Sequence, residues 1–172
     1  NAMVTTYVPH RVDEGYGLNP DAVRELCSQG HRVIISVDCG VTAVEPARVA
    51  REMGADLIIT DHHNFLEPDE TGCVRLPNAY AIVHPRLGSD GRESVIGGAG
   101  AYPFGDLCGA GVAFKLAWRL ATMAAGGHRV AEPMRHLLLD MLALAALGVV
   151  ADVVPLLGEN RVMARFGLRR IK

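Results

Sequence analysis

None of the four cysteines in this 172-residue chain has a neighbour at metal-binding spacing. Cys27, Cys39, Cys73 and Cys108 are scattered with no C-x-x-C pair, which argues against a structural zinc module and for reduced thiols in a cytoplasmic protein. Neither sign of charge is in excess. With 17 Lys and Arg against 19 Asp and Glu there is no global basic signal for nucleic acid, although such a sum hides local patches. No uninterrupted hydrophobic run approaches the ~20 residues of a membrane span. The most apolar region, residues 134–157, is broken by Asp140 and Asp152, so no membrane is expected. A secretory leader pattern, an internal repeat and a low-complexity tract are all missing. Residues 1–3 read as a tag remnant and a start methionine and stay outside the fold argument. What is there is ordinary globular composition, in a chain long enough for one domain with a real core.

Residues 4–10 (VTTYVPH) are β-branched and aromatic and predict a strand. A loop containing EGYG follows, and Asn19-Pro20 forms a cap and first-turn pair opening a helix that ends at Gly30. Residues 32–38 (RVIISVD), 56–61 (DLIITD) and 79–84 (AYAIVH) are apolar runs of strand length, the first two joined by a helix over about 43–53. Strands without polar alternation, separated by helices, predict a mostly parallel sheet buried on both faces. The repeated β-α unit assigns the chain to the α/β class, doubly wound with flanking helices. Residues 88–106 are Gly-rich and aperiodic and predict an exposed loop. Beyond it come GAGVAFKLAWRLATMAAGG, EPMRHLLLDMLALAALG and ENRVMARFGLRRIK, three helical segments. The expected organisation is a parallel β-α part over 4–87, the loop over 88–106 and a helical part over 107–172.

Ligands of open α/β sheets bind outside the carboxyl ends of the strands. Asp38 ends one predicted strand, and Asp61, His62 and His63 end the next, in the stretch LIITDHHN. If those strands are neighbours, acids and imidazoles converge on one edge. That donor set suits a borderline-hard divalent cation, manganese among the better candidates and zinc another. A single Asp at a strand end is commonly a turn or helix cap, and paired histidines also open polar loops. Two acidic strand ends on one edge, one carrying a His pair, favour the metal reading. Asp152 adds to it: an unpaired carboxylate inside an apolar run is costly, so it needs an ion-pair partner, a backbone partner or a cation.

The segments SVDCGVTA, ITDHHN, LCGAGVAFKLAWRL and LGVVADVVPLLGENR occur in that order, with YVPHRVDEGYGLN ahead of them. Together they resemble the RecJ-type single-strand-specific exonucleases of the DHH phosphoesterase superfamily, from about Tyr7 to Leu168. The resemblance implies a centre of two ions, Mn2+ or Mg2+, hydrolysing phosphodiesters from the 5′ end of single-stranded DNA in repair and recombination. It implies that Asp38 bridges the ions and that His62 and Asp152 bind the second of them. His63 would face the scissile phosphate, and Asp61 would orient the histidines. Substrate-binding candidates are Tyr16, by stacking on a base, and Arg86 and His84, by touching the DNA. Gly109 and Gly111 join them, through N–H groups at a helix N-terminus. Each has a plainer alternative in packing or solvated surface.

The family's Asp-x-Asp motif does not occur ahead of Tyr7, and its later DNA-gripping domains are missing. The expectation is therefore a partial catalytic core that binds at most one ion and has little or no activity alone. Its exposed sheet edge invites a homodimer. Two other functions stay open: a DHH phosphoesterase acting on short oligonucleotides or nucleotide phosphates, and a non-catalytic replication scaffold.

Overall fold

The computed structural model describes residues 3–67, 70, 74–88 and 102–171. Its elements run α1 (Pro20–Ser28), β1 (Val33–Val37), α2 (Val44–Glu52), β2 (Asp56–Thr60), β3 (Ala81–Val83), α3 (Gly109–Ala124), α4 (Glu132–Ala151) and α5 (Gly158–Leu168). The three strands form a parallel sheet in the order β1-β2-β3, with Ile35 opposite Ile58 and Ile59 opposite Ile82. The fold is α/β, as the apolar runs and intervening helices predict. Asn19 caps α1, its side-chain oxygen accepting the Ala22 N–H at 2.7 Å, and Pro20 occupies the first turn.

Two apolar cores flank the sheet. Ile34, Leu57 and Ile59 point to one face and pack with Val23 of α1 and Ala47, Val49 and Ala50 of α2. Across the sheet, Leu107, Val112, Phe114, Leu138, Val149 and Met163 form the core of α3, α4 and α5, and Val83 of β3 packs against it. The expected burial on both faces fails at β1. Val33, Ile35 and Val37 are each more than half exposed (56, 52 and 51 %), because the second helical layer reaches β3 and leaves the middle of this edge strand uncovered. An apolar run reports a preference for burial, not the presence of a covering layer.

The strand expected over residues 4–10 does not form. Among the described residues no strand pairs with it, Val4 and Val8 are exposed, and the segment is held instead by a bond from Tyr7 to Glu14 and by the His10 N–H donating to Glu14 at 3.0 Å. Strand propensity without a partner strand does not make a strand. Most of the Gly-rich loop expected over 88–106, together with Cys73 and Lys172, lies outside the described residues.

Among the described residues one helix, α4, is long and apolar enough to cross a membrane by length and composition, with Arg135 and Asp140 inside it. Here it is wedged between α3 and α5 through small residues. A Cβ on Gly148 would collide with Ala110 of α3, and one on Gly167 of α5 would collide with the Leu142 carbonyl and Ala146. Asp140 sits in an ion pair with Arg170 at 2.6 Å.

A candidate metal centre at the carboxyl edge of the sheet

The end of β1 turns sharply. Asp38 adopts a left-handed conformation (φ 63°) after its N–H has extended the ladder to the Thr60 carbonyl at 2.9 Å. Asp is among the few residues other than glycine that tolerate this region. The turn that follows is fastened to the end of β2, with the Val41 N–H donating to Asp61 Oδ2 at 2.8 Å. Gly40 has φ 113°, and any side chain there would press on the Ser36 hydroxyl, so glycine is required.

Asp61 is 1 % exposed and organises the other half of the edge. Its Oδ1 accepts the N–H groups of His62 (2.7 Å) and His63 (3.2 Å) and pairs with His63 Nδ1 (2.7 Å). Burial works to raise its pKa, but the hydrogen bonds from Val41, His63 and His62 outweigh burial and hold the carboxyl below its usual range. An ionised Asp61 only accepts, so Nδ1 of His63 carries a proton and Nε2 is turned to the open side, 3.4 Å from the Tyr16 hydroxyl. Asp61 thus orients the His63 ring and holds the backbone of both histidines.

His62 points the other way. Its Nε2 is buried, makes no hydrogen bond among the described residues, and lies 3.1 Å from Asp38 Oδ1 and 3.3 Å from Asp152 Oδ2. Asp152 arrives as the C-cap of α4, and the next residue, Val153, is turned by a left-handed φ of 56°. Donor atoms of Asp38, His62 and His63 also lie within 4.8 Å of one another. Burial pushes the Asp38 carboxyl up; His62 opposes this and Asp152 adds to it. Two acids converging on one buried imidazole nitrogen form a donor set that a divalent cation would satisfy, and the mixed oxygen and nitrogen set fits manganese or magnesium chemistry.

The substrate-binding candidates separate. Tyr16 is brought to the site, its ring edge-on to His63 and 66 % exposed. Gly109 begins α3 directly against Asp38, where any Cβ would collide with the carboxylate. Gly111 is a packing glycine: its N–H is taken by the Cys108 thiol that caps α3, and Met163 fills the space beside it. His84 is buried, with Nε2 on the His63 carbonyl (2.9 Å) and Nδ1 accepting the Arg86 N–H (3.1 Å). Burial pushes its pKa down, and both ring nitrogens are committed to the turn. It supports the His pair from behind. Arg86 also grips that turn, through the His62 and His63 carbonyls (3.2 and 3.1 Å) and Asn64 (2.9 Å).

A hollow of about 700 Å³ borders His63, lined by Tyr16, Asn19, Gly40, Thr42, Asp61 and Arg75 among others. A larger hollow, about 1040 Å³ between α3, α4 and α5, contains none of the cluster, so size alone points away from the chemistry. Residues that sequence reasoning passed over are Val41, whose N–H holds Asp61, and the Glu159-Asn160 pair. The backbone donor leaves no trace in a sequence. The GEN run was visible, but nothing in it names a partner.

The model of the DHH family N-terminal domain matches residues 1–148. The chain belongs to the DHH family. It is 42 % identical over 172 residues to the single-stranded-DNA-specific exonuclease RecJ of Bacillus subtilis strain 168, covering all of this chain and 18 % of that relative. Against the RecJ of Escherichia coli K12 identity is 36 % over 170 residues, covering 96 % of this chain and 26 % of that one. Among solved structures, exonuclease RecJ bound to manganese superposes with a TM-score of 0.69 at 34 % identity, over 96 % of this chain and 35 % of that one. RecJ from Thermus thermophilus in complex with Mn2+ gives 0.62 at 33 %, over 89 % and 19 %. This DHH chain thus spans about a quarter or less of the length of these curated relatives.

Proposed function

We propose that this DHH domain is part of the catalytic core of a metal-dependent exonuclease that hydrolyses single-stranded DNA from the 5′ end, in the cytoplasm, during repair and recombination. The observation that carries the reading is the buried Nε2 of His62, which makes no hydrogen bond among the described residues and faces the carboxylates of both Asp38 and Asp152 at the carboxyl edge of a parallel sheet. Similarity to RecJ proteins crystallised with manganese supports the choice of ion, and the free thiols of Cys27, Cys39 and Cys108 suit a reducing compartment. The contacts of α4 with α3 and α5 through Gly148 and Gly167 support packing of one side of that helix within this fold over a membrane span, while Leu137, Leu144 and Leu147 on it are exposed.

Asp38, His62 and Asp152 would hold Mn2+ or Mg2+. A bound ion of this kind lowers the pKa of water and neutralises phosphate charge. The protein's own groups supply orientation. Asp61 and the Val41 N–H fix the two strand ends relative to each other. Through its Nδ1 bond, Asp61 directs His63 Nε2 toward the open side, where a phosphate oxygen would lie. Tyr16, exposed beside that nitrogen, offers a face on which a base stacks. The open edge at β1 also supports self-association of this chain.

Calorimetric titration with Mn2+, beside a His62→Ala variant, tests the centre. Binding of about one ion, lost in the variant, is the expected outcome. Release of nucleotides from 5′-labelled single strands by a polypeptide spanning the length of the RecJ relatives tests the activity. Faster cleavage of dinucleotides than of long strands would replace this reading with that of a short-oligonucleotide phosphoesterase.

A further inference from the structure

Three consecutive residues at the start of α5 each grip the segment that leads into α3. Gly158, at φ 43°, lies against the Phe104 ring so closely that a Cβ would collide with it. Glu159 accepts the Tyr102 hydroxyl at 2.8 and 2.9 Å and Lys115 Nζ of α3 at 2.6 Å. Asn160 is wholly buried, and its Nδ2 donates to two carbonyls, Asp106 at 2.6 Å and Pro155 at 3.1 Å.

These carbonyls belong to the two chain segments that enter the cation cluster from the helical half. Three residues after Asp106, Gly109 abuts the Asp38 carboxylate. Three residues before Pro155 stands Asp152, 3.3 Å from His62. One carboxamide therefore ties the segment that backs Asp38 to the segment that carries Asp152. Its Oδ1 is buried with no partner among the described residues. Burying a polar atom without a bond is unfavourable, so space filling alone does not account for an Asn here; the two donated bonds do.

We propose that Gly158-Glu159-Asn160 is a positioning clamp for the cation centre, with Asn160 its central residue, setting the distance of Asp152 from Asp38 and His62. The inference rests on the metal-centre reading given above. Outer groups that orient ligands typically change metal affinity by about 10–100-fold when removed.

The test is Mn2+ titration of the intact chain, of Asn160→Leu and of Leu138→Ala, each well below its unfolding midpoint. Leu138 is a buried core residue of the helical half, roughly 20 Å along α4 from Asp152. It controls for destabilisation without loss of the clamp. Asn160→Leu is expected to weaken Mn2+ binding about tenfold, and Leu138→Ala to leave it unchanged. Equal affinity in the unsubstituted chain and Asn160→Leu overturns the clamp alone, as does an equal loss in Leu138→Ala. No binding by the unsubstituted chain overturns the metal-centre reading and the clamp with it. A second measurement does not depend on a variant folding. Because an ion that needs the clamp closed opposes its opening, saturating Mg2+ should slow hydrogen exchange of the Asn160 side-chain amide. Unchanged exchange in a chain that binds Mg2+ overturns the proposal.

Discussion

The two halves of the molecule bring acids and imidazoles to the same place by different physics. In the α/β half, Asp38 and the His pair sit at the ends of adjacent parallel strands, and hydrogen bonds fix what lies between them. Asp61 alone accepts from Val41, His62 and His63, while His84 and Arg86 hold the turn from behind. In the helical half, Asp152 comes at the end of a long helix located by packing. Gly148 lies against Ala110, Gly167 against the Leu142 carbonyl, and α5 grips the entrance to α3. A hydrogen-bonded turn holds its geometry locally. A packed helix passes a change in thickness to its adjoining turns, so in the helical half a substitution in the turn before Asp152 should still move that carboxylate.

The largest effect should follow from Gly148→Val. The valine would drive α4 away from Ala110, one turn before Asp152, whose N–H donates to the Gly148 carbonyl at 2.9 Å. Overpacking of this kind costs about 3 kcal/mol, measured as loss of stability in urea. Metal affinity should fall with it if, as proposed, Asp152 at the end of α4 holds the ion. A stable variant with unchanged Mn2+ binding would show that Asp152 is not placed by the packing of α4.

Asp61→Asn is the matching experiment in the α/β half. The amide keeps the volume but has one acceptor oxygen for donors that approach both carboxylate oxygens. A loss of about 2 kcal/mol is expected, the range for leaving a buried donor unpaired. Mn2+ affinity should drop about tenfold, as for other groups that orient ligands. If Asp61→Asn costs more stability than Gly148→Val, the contrast between the halves is wrong.

Much of this was legible beforehand, and the particulars show why. Continuous apolar runs ending in Asp38 and Asp61 announced parallel strands with a polar carboxyl edge, and that edge holds the cluster. Residues 4–10 had strand composition but no partner, and pairing is not a property of one segment. His84 and Arg86 have side chains suited to DNA, and in the fold both also bond to the backbone of the His pair. Residue type announces chemistry; only the fold shows which partner uses it. The resemblance to DHH enzymes singles out Asp152, which the apolar run alone leaves between an ion-pair partner, a backbone partner and a cation, and the structure places it beside His62.

Lys115→Met probes the clamp through pH. Burial works against the charge of Lys115, but the Glu159 carboxylate and Tyr102 outweigh burial and raise its pKa. A group whose pKa is raised by folding stabilises the fold below its ordinary value, about 10.4 for lysine. That contribution disappears as pH rises through the higher folded value. The unsubstituted chain should therefore melt above Lys115→Met from pH 7 to 9, and the gap should close in more alkaline solution. A gap constant to pH 12 would mean that the ion pair contributes nothing and that the lysine stem supplies the packing.

The smallest change in stability, within about 0.5 kcal/mol, is expected for Ile35→Lys, and its readout is association. Ile35 lies on the open face of β1 between Val33 and Val37, on the edge strand of the sheet, and replacing it touches neither core. A lysine on an edge strand discourages pairing with another chain. If the chain self-associates through this edge, sedimentation at high concentration should show the unsubstituted protein heavier than the variant. Equal, monomeric profiles would leave the exposed strand without a role in self-association. Equal, dimeric profiles would move the interface to the exposed apolar side of α4, where Leu137, Leu144 and Leu147 stand in solvent. The second outcome would sharpen the comparison: the half that places its ligand by packing would also be the half that a second copy of the chain covers.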